Sequence, residues 1–240
     1  MNARATEAIF LPGFDGAAHL RDELVTTLAH RRPTRSIGYP NRALGTLDGY
    51  WQYVASQVVA DSRPVVIAES FSGLVAAHWA AKDSRVIGLV LCGAFARNPV
   101  PFLPSLGAFV PSMAKFMGSK LLGHFLRIHR DTPQHRWSRA LPAALGALHH
   151  EVIGERLRII ARENAGPALS TLRIPITLIQ FEGDLVIRRP AQRHLESVCH
   201  NAQVMRLAGP HFALETRPLE CARAIAACID PFFEDVAQDE

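Results

Sequence analysis

The sequence has few cysteines and no long uninterrupted apolar run. Its four cysteines show no C-x-x-C spacing, which is typical of reduced, buried thiols and unlike a zinc site or a disulfide framework. No stretch reaches the roughly 18 apolar residues of a membrane helix, and residues 1–8 lack the apolar core of a signal peptide. We therefore expect a cytoplasmic protein with no metal site and no membrane contact.

Internal repeats and low-complexity tracts are also missing, which argues against a repeat or fibrous protein. Hydrophobic residues make up 48% of the 240 positions and charged residues 20%, which is the composition of a globular protein with a substantial core. A chain of this length forms one domain, or one domain with an inserted segment.

Short apolar runs alternate with stretches of helical spacing along most of the chain. Strands are predicted at residues 8–11, 35–39, 64–68, 86–92, 174–181 and 203–207. Helices are predicted at residues 19–30, 47–60, 71–81, 191–199 and 219–229. This alternation predicts an α/β protein with a mostly parallel central sheet flanked by helices. A sheet that is buried on both faces explains why its strands are apolar throughout.

The alternation is interrupted between residues 97 and 165. This segment is rich in proline at its start and then continues with apolar helical stretches, arginine and histidine, without a clear strand. We interpret it as a helical cap inserted into a core that residues 1–96 and 166–240 form. Because ligands of open α/β sheets bind beyond the carboxyl ends of the strands, a cap that leaves from a strand end would cover the site.

A serine stands at the junction of the third predicted strand and the helix that follows it. Ser70 has small residues two positions away on each side, Ala68 and Ser72, as a sharp strand-to-helix turn requires. A nucleophile at Ser72 would place Leu74 at a position that needs a small residue, so Ser70 is the better candidate. The alternative interpretation is that Ser70 only caps the N-terminus of the helix.

This turn resembles the nucleophile elbow, G-x-S-x-G, of the α/β-hydrolase superfamily. Ala68 and Ser72 replace the two glycines, and both are small enough to keep the geometry. Glu69 occupies the position where many relatives carry His, and the sequence assigns no role to it. The resemblance implies an α/β-hydrolase fold with Ser70 as nucleophile, beside a helix N-terminus that favours an oxyanion.

The resemblance also implies an acid and a base, which follow the serine in the order Ser, acid, His. Asp184 follows the strand 174–181 at the place of the family's acid loop, and Glu182 is a competing carboxylate that fits less well. His211 follows the strand 203–207 in a Gly-Pro-His turn, where the family has a Gly-His loop. The alternative for each residue is a solvated position in a loop.

Two backbone N–H groups are implied as the oxyanion hole. One belongs to Phe71, the residue after the nucleophile. The other belongs to Phe14 in the loop after the first strand, where Pro12 replaces the histidine of the family's His-Gly-X motif. Gly13 and Gly16 allow this backbone to turn close to a substrate.

The positive charge is concentrated in the segment 97–165. It contains ten Lys and Arg and four Asp and Glu, a net charge of +6, whereas the rest of the chain has a net charge of −2. The arginines of interest as a partner-binding surface are Arg127, Arg130, Arg156, Arg158 and Arg162. They form either a solvated helix surface or a landing site for an acidic carrier protein or a carboxylate-tailed substrate. Nucleic acid is not expected, because no stacking platform accompanies the basic residues.

Apolar residues of the same segment, among them Phe109 and Met113, either line an acyl pocket or form the core of the cap. The size of the chain, the missing signal peptide and the basic cap resemble the layout of the pimeloyl-carrier-protein methyl ester carboxylesterase family of biotin synthesis. That resemblance implies cleavage of a carboxylic ester on a substrate attached to an acyl carrier protein.

The sequence therefore predicts a monomeric serine hydrolase that cleaves a carboxylic ester through an acyl-enzyme, without metal or organic cofactor. A thioesterase, a lactonase, a C–C hydrolase or a cofactor-free perhydrolase would keep the same triad. A dehalogenase or an epoxide hydrolase of this fold would carry Asp in place of Ser70. The alternative from another class is a binding protein that kept the pocket and lost turnover.

Overall fold

Six parallel strands form one sheet at the centre of the protein. The computed structural model describes residues 5–99 and 133–234. The strands are β1 (Thr6–Leu11), β2 (Thr34–Ser36), β3 (Arg63–Glu69), β4 (Gly88–Cys92), β5 (Ile176–Phe181) and β6 (Gln203–Leu207). Their order across the sheet is β2-β1-β3-β4-β5-β6, and all neighbouring pairs are parallel. This confirms the predicted α/β fold.

The central strands are apolar because both of their faces are covered. Along β3, Val66 and Ala68 belong to one hydrophobic cluster, whereas Val65 and Ile67 belong to a second cluster on the opposite face. The period of two in a strand sends neighbouring side chains to opposite faces, so a strand packed on both sides has to be apolar at every position.

Helices cover the two faces. The longer ones are α1 (Asp22–Ala29), α2 (Leu47–Ala55), α3 (Ser72–Lys82), α4 (Pro133–Ala147), α5 (His150–Arg162), α7 (Arg189–Val198) and α9 (Pro218–Ile229). Shorter ones are a 3₁₀ helix (Ala18–Arg21), α6 (Gly166–Thr171), α8 (Ala213–Thr216) and α10 (Pro231–Glu234). Leu24 of α1 and Ile225 of α9 pack on one face, and Tyr50 of α2 and Leu74 of α3 pack on the other.

Two predicted elements differ from the structure near the first strand. The predicted strand 35–39 ends at Ser36, because the backbone N–H of Ile37 still donates to Phe10 but that of Tyr39 donates to the Gly16 carbonyl in the first loop. The predicted helix 19–30 is divided into a 3₁₀ turn and α1 at Arg21, whose side chain is buried. In both places the chain departs from regular structure to make a contact with the first loop or the interior.

The two ends of the segment 97–165 lie side by side. Arg97 pairs with Asn164 in an antiparallel bridge, and the N–H of Ala165 donates to the Ala96 carbonyl at 2.7 Å. The segment therefore leaves the core after β4 and returns to it at the same place. In its described part, Leu141 and Leu145 of α4 pack against Phe14 in a small separate hydrophobic cluster.

The four cysteines are buried and unpaired. Burial raises the pKa of the Cys199 thiol to about 11 and that of Cys221 to about 12, so both are thiols at neutral pH. Among the described residues, no helix combines the length and the apolar character that crossing a membrane requires.

Candidate active site

Ser70 lies on a strained turn between β3 and α3. Its φ of 50° makes it the one non-glycine residue with a positive φ in the described part of the chain, a conformation that costs about 1–2 kcal/mol. The turn is held by the Ser70 N–H, which donates to the Cys92 carbonyl at 3.0 Å. The helix after it passes close to β4's exit, since a Cβ on Gly73 would lie 2.6 Å from the Ala94 side chain. This close approach requires glycine at position 73.

Ser70, His211 and Asp184 form a continuous hydrogen-bonded chain. The Ser70 Oγ lies 3.0 Å from His211 Nε2, and His211 Nδ1 lies 2.8 Å from Asp184 Oδ2. All three residues are buried, and each stands just beyond the carboxyl end of a different strand. With Nδ1–H donating to the carboxylate, Nε2 is free to accept the serine proton.

The loop after β5 fixes the orientation of Asp184. Its Oδ1 accepts the backbone N–H groups of Val186 at 2.8 Å and Ile187 at 2.6 Å, which leaves Oδ2 for His211. The competing carboxylate, Glu182, is exposed. The structure thus brings Asp184, and not Glu182, to the histidine.

Ser72 connects the nucleophile turn to the first loop. Its hydroxyl donates to the Pro12 carbonyl and accepts a hydrogen bond from the Tyr39 hydroxyl. The residue is completely buried, and burial raises the pKa of the Tyr39 hydroxyl. Ser72 is therefore a structural link between the Ser70 turn and the first loop.

Phe14 and Phe71 line the same cavity as Ser70. Phe71 precedes the first residue of α3, where N–H groups are not used within the helix. The Phe14 loop is a tight turn in which the Gly16 N–H donates to the Gly13 carbonyl at 3.1 Å. Among the hydrogen bonds between described residues, none uses the N–H of Phe14 or of Phe71. Both N–H groups are therefore uncommitted among the described hydrogen bonds.

Arg156 is buried, so the prediction that it belongs to an exposed partner-binding surface is wrong. Its side chain is fully removed from solvent, and its Nη1 donates to the Phe14 carbonyl at 2.6 Å while Nε donates to the Tyr50 hydroxyl at 3.0 Å. The guanidinium also lies 5.3 Å from the centre of the Tyr39 ring, within cation–π distance. A Cβ on Gly16, whose φ is +71°, would lie 2.8 Å from Arg156, so this position needs glycine.

The sequence contained a signal for the burial of Arg156. Val152, Arg156 and Ile159 are spaced as one face of a helix, and both apolar neighbours are buried. The adjacent Glu155 is buried too, and its carboxylate accepts the backbone N–H groups of Leu44 and Gly45. This pair of charged residues locks α5 onto the core.

The other proposed residues of the segment fall into two groups. Arg158 and Arg162 are exposed on α5. Phe109, Met113, Arg127 and Arg130 lie outside the described residues.

A buried charged cluster, which sequence reasoning missed, lies behind the nucleophile turn. Glu69 pairs with Arg21, whose guanidinium also contacts Asp15 and Glu215. Glu69 was the position without a role, and its partners are distant in the sequence, so no local pattern indicated the pairing. The described residues contain no group of three or more His, Cys, Asp or Glu side chains arranged to hold a metal ion.

The cavity at Ser70 is mainly apolar. It has a volume of about 240 Å³ and also touches Ser70, His211, Asp15, Arg21 and Glu69. Its apolar described lining consists of Phe14, Phe71, Phe95, Pro99, Leu141, Leu145, Leu157, Ile160, Val186, Ile187 and Phe212. The described surface next to Ser70 is therefore suited to apolar ligand groups.

Solved structures with different activities share this fold. The enol-lactonase from Burkholderia xenovorans LB400 is 12% identical over 94% of this chain and 91% of its own, with a TM-score of 0.72. The esterase RhEst1 from Rhodococcus sp. ECU1013 is 16% identical over 94% and 90%, with a TM-score of 0.73. A bromoperoxidase from Bacillus anthracis is 13% identical over 93% and 91%, with a TM-score of 0.71. At these identities the likeness establishes the fold and leaves the substrate open.

No curated protein has detectable similarity to this sequence. The profile of the Alpha/beta hydrolase family, in contrast, matches residues 8–224. That range includes most of β1, the Phe14 loop, the Ser70 turn, Asp184 and His211. The chain is therefore a member of the alpha/beta hydrolase family.

Proposed function

We propose that the protein is a serine esterase that forms an acyl-enzyme on Ser70. The observation that carries this proposal is the buried chain from Ser70 Oγ through His211 to Asp184, which opens into an apolar cavity. A serine hydroxyl at neutral pH needs a base in contact with it, and the base needs an oriented partner that stabilises its charged form.

The reaction has two symmetrical halves. His211 Nε2 takes the proton of Ser70 while Oγ attacks the ester carbonyl, and the oxyanion accepts hydrogen bonds from the N–H groups of Phe14 and Phe71. Asp184 stabilises the imidazolium. The tetrahedral intermediate collapses, the C–O bond to the alcohol breaks, and His211 returns the proton to the leaving oxygen. Water then repeats the sequence on the acyl-enzyme and releases the acid.

Fluorophosphonate labelling tests the nucleophile. We expect the wild-type protein to be labelled on Ser70, the Ser70→Ala variant to remain unlabelled, and a Ser72→Ala variant to keep labelling at Ser70. Absence of labelling in a folded wild-type protein would favour the alternative of a non-catalytic binding protein. Equal labelling of Ser70→Ala would show that another residue reacts.

The leaving group is tested with matched substrates. We expect oxygen esters with an apolar acyl group to be cleaved faster than the corresponding thioesters and lactones, and faster than peracid is formed. A panel that varies the acyl chain length at a constant leaving group measures the depth of the cavity. A preference for thioesters or lactones would replace the esterase by the corresponding alternative on the same triad.

We retain a carrier-linked methyl ester as the second candidate, because Arg158 and Arg162 form an exposed basic pair on α5. Reversing both charges is expected to slow hydrolysis of an ester on acidic acyl carrier protein while hydrolysis of a p-nitrophenyl ester stays unchanged. The matched control reverses the charges of Arg63 and Arg173. Both are exposed, and they lie at the amino-terminal ends of β3 and β5, at the opposite end of the strands from Ser70. Equal effects of the two double variants would rule out docking at α5.

A further inference from the structure

The buried guanidinium of Arg21 contacts carboxylates from three separate segments of the chain. Arg21 Nε and Nη2 each donate to Glu69 at 2.8 Å, and Nη1 and Nη2 donate to Asp15 at 2.7 and 2.9 Å. Arg21 Nη2 also lies 2.7 Å from Glu215 Oε1. Every one of these side chains is at most 3% exposed.

The three carboxylates stand next to the reacting groups in the sequence. Asp15 follows the oxyanion donor Phe14, and Glu69 precedes Ser70. Glu215 lies four residues after the His211 base, in α8. The guanidinium therefore connects the oxyanion loop, the nucleophile turn and the segment after the base.

The five N–H bonds of Arg21 are all used without Glu215. Two go to Glu69, two go to Asp15, and the fifth goes to the Ala17 carbonyl at 3.3 Å. Glu215 has no hydrogen-bond partner among the described residues although one of its oxygens touches the guanidinium. Glu69 and Asp15 thus each bind the Arg21 guanidinium through two hydrogen bonds, and no N–H of Arg21 remains for Glu215.

A third buried negative charge would share the single Arg21 cation with Asp15 and Glu69. Burial, together with the charges of Glu69 and Asp15, raises the pKa of Glu215 well above its usual range even though Arg21 opposes the shift. Glu215 therefore holds its proton more strongly than an ordinary glutamic acid does, as expected for like charges in one desolvated site.

The backbone of the oxyanion loop rests directly on this network. A Cβ on Gly13 would lie 3.1 Å from Glu69 Oε1 and 3.5 Å from Arg21 Nη2. Since Gly13 precedes Phe14, the Arg21–Glu69 pair lies beside the backbone that carries the Phe14 N–H. Asp15, Arg21 and Glu69 also form part of the cavity lining at Ser70.

We propose that Arg21 is a positioning residue, which sets the distance between the Ser70 nucleophile and the Phe14 oxyanion donor by holding Glu69 and Asp15 in one fork. The inference rests on the proposed esterase function and adds a second layer to it. Arginine is required, because a lysine ammonium is a single point of charge and cannot bind two carboxylates bidentately. Small displacements between reacting groups are costly to the rate.

The test compares Arg21→Lys with Arg85→Lys. Arg85 binds Asp83 through several hydrogen bonds at the turn between α3 and β4, so it controls for the chemical change. For a p-nitrophenyl ester we expect Arg21→Lys to lower kcat by about 10- to 100-fold, with KM within about threefold and an unchanged pH profile. Arg85→Lys should keep the wild-type kcat. Circular dichroism at the assay temperature establishes that each variant is folded.

Single amide substitutions of the carboxylates test the same role of Arg21 if the Arg21→Lys variant does not fold. Glu69→Gln and Asp15→Asn should lower kcat by about tenfold or more, whereas Glu215→Gln, which mimics the neutral acid, should stay within about twofold. Wild-type kcat in folded Arg21→Lys, or equal losses in Glu69→Gln and Glu215→Gln, would overturn the positioning role. A wild-type protein inactive on all esters would instead overturn the esterase proposal, and the inference with it.

Discussion

Two buried arginines hold the same loop in different ways. Arg21 reaches it from the core through the Asp15 carboxylate and has three carboxyl groups around it. Arg156 reaches it from α5 through the Phe14 carbonyl, and its other described partners are the Tyr50 hydroxyl and aromatic rings. One cation is balanced by ionic partners and the other by dipoles and ring faces. The Phe14 loop is therefore held by two arginines whose other contacts differ in chemistry.

The largest loss of stability is expected when Arg21 is removed from its buried carboxylates. Arg21→Met leaves Asp15 and Glu69 buried without a cation, and removal of one partner from a buried ion pair costs about 3–5 kcal/mol. Urea unfolding followed by circular dichroism measures this loss. Arg85→Met, at a partly exposed pair with Asp83, should cost about 1 kcal/mol or less. Equal losses for the two variants would contradict the account of the buried network.

A smaller loss of stability is expected when Arg156 is replaced. Arg156→Met keeps most of the packing and removes hydrogen bonds to Phe14 and Tyr50, so the free energy of unfolding should fall by about 1–3 kcal/mol. The kcat for ester hydrolysis should fall as well, because the carbonyl of the oxyanion loop loses its donor. A kcat equal to that of the wild type would show that the contact of Arg156 with the Phe14 carbonyl does not affect catalysis.

The smallest effect depends on pH and concerns Glu215. Its pKa is raised in the folded protein above the usual 4.5, so the folded state holds a proton that the unfolded chain releases. The stability that this proton contributes is fully present below about pH 4.5 and is lost as the pH rises through the folded pKa.

Glu215→Gln has no such proton to lose. Its melting temperature should equal that of the wild type near pH 4 and exceed it near pH 8, because only the wild type loses the stability of this proton as the pH rises. Calorimetry at the two pH values measures the difference. A variant that is less stable than the wild type at pH 8 would show that Glu215 is ionised and paired in the folded protein.

The sequence was informative wherever the cause of a structure is local. Apolar runs predicted the strands, because a doubly covered sheet has no polar side. The small residues around Ser70 predicted the sharp turn, at which Ser70 has a positive φ. Asp184 and His211 were predicted from their places after β5 and β6. These features depend on a few neighbouring residues and on the order of the strands.

The contacts of the two buried arginines could not be predicted in the same way. Whether an arginine is exposed or buried depends on the groups that meet it in the fold, and Arg21 meets Glu69 and Glu215 from distant parts of the chain. Arg156 was assigned to a surface by its charge alone, although its spacing with Val152 placed it on the apolar face of α5. The sequence alone assigns no role to Glu69, and the structure shows that it pairs with Arg21.

The most direct test of the central claim is to trap the acyl-enzyme. Wild-type protein mixed with a slowly deacylating p-nitrophenyl ester is quenched in acid, digested and analysed by mass spectrometry. The account predicts one acyl group on the peptide that contains Ser70, none in Ser70→Ala, and a kcat for that variant lower by about 10⁴- to 10⁶-fold. Acylation of another residue, or turnover by Ser70→Ala at the wild-type rate, would contradict it.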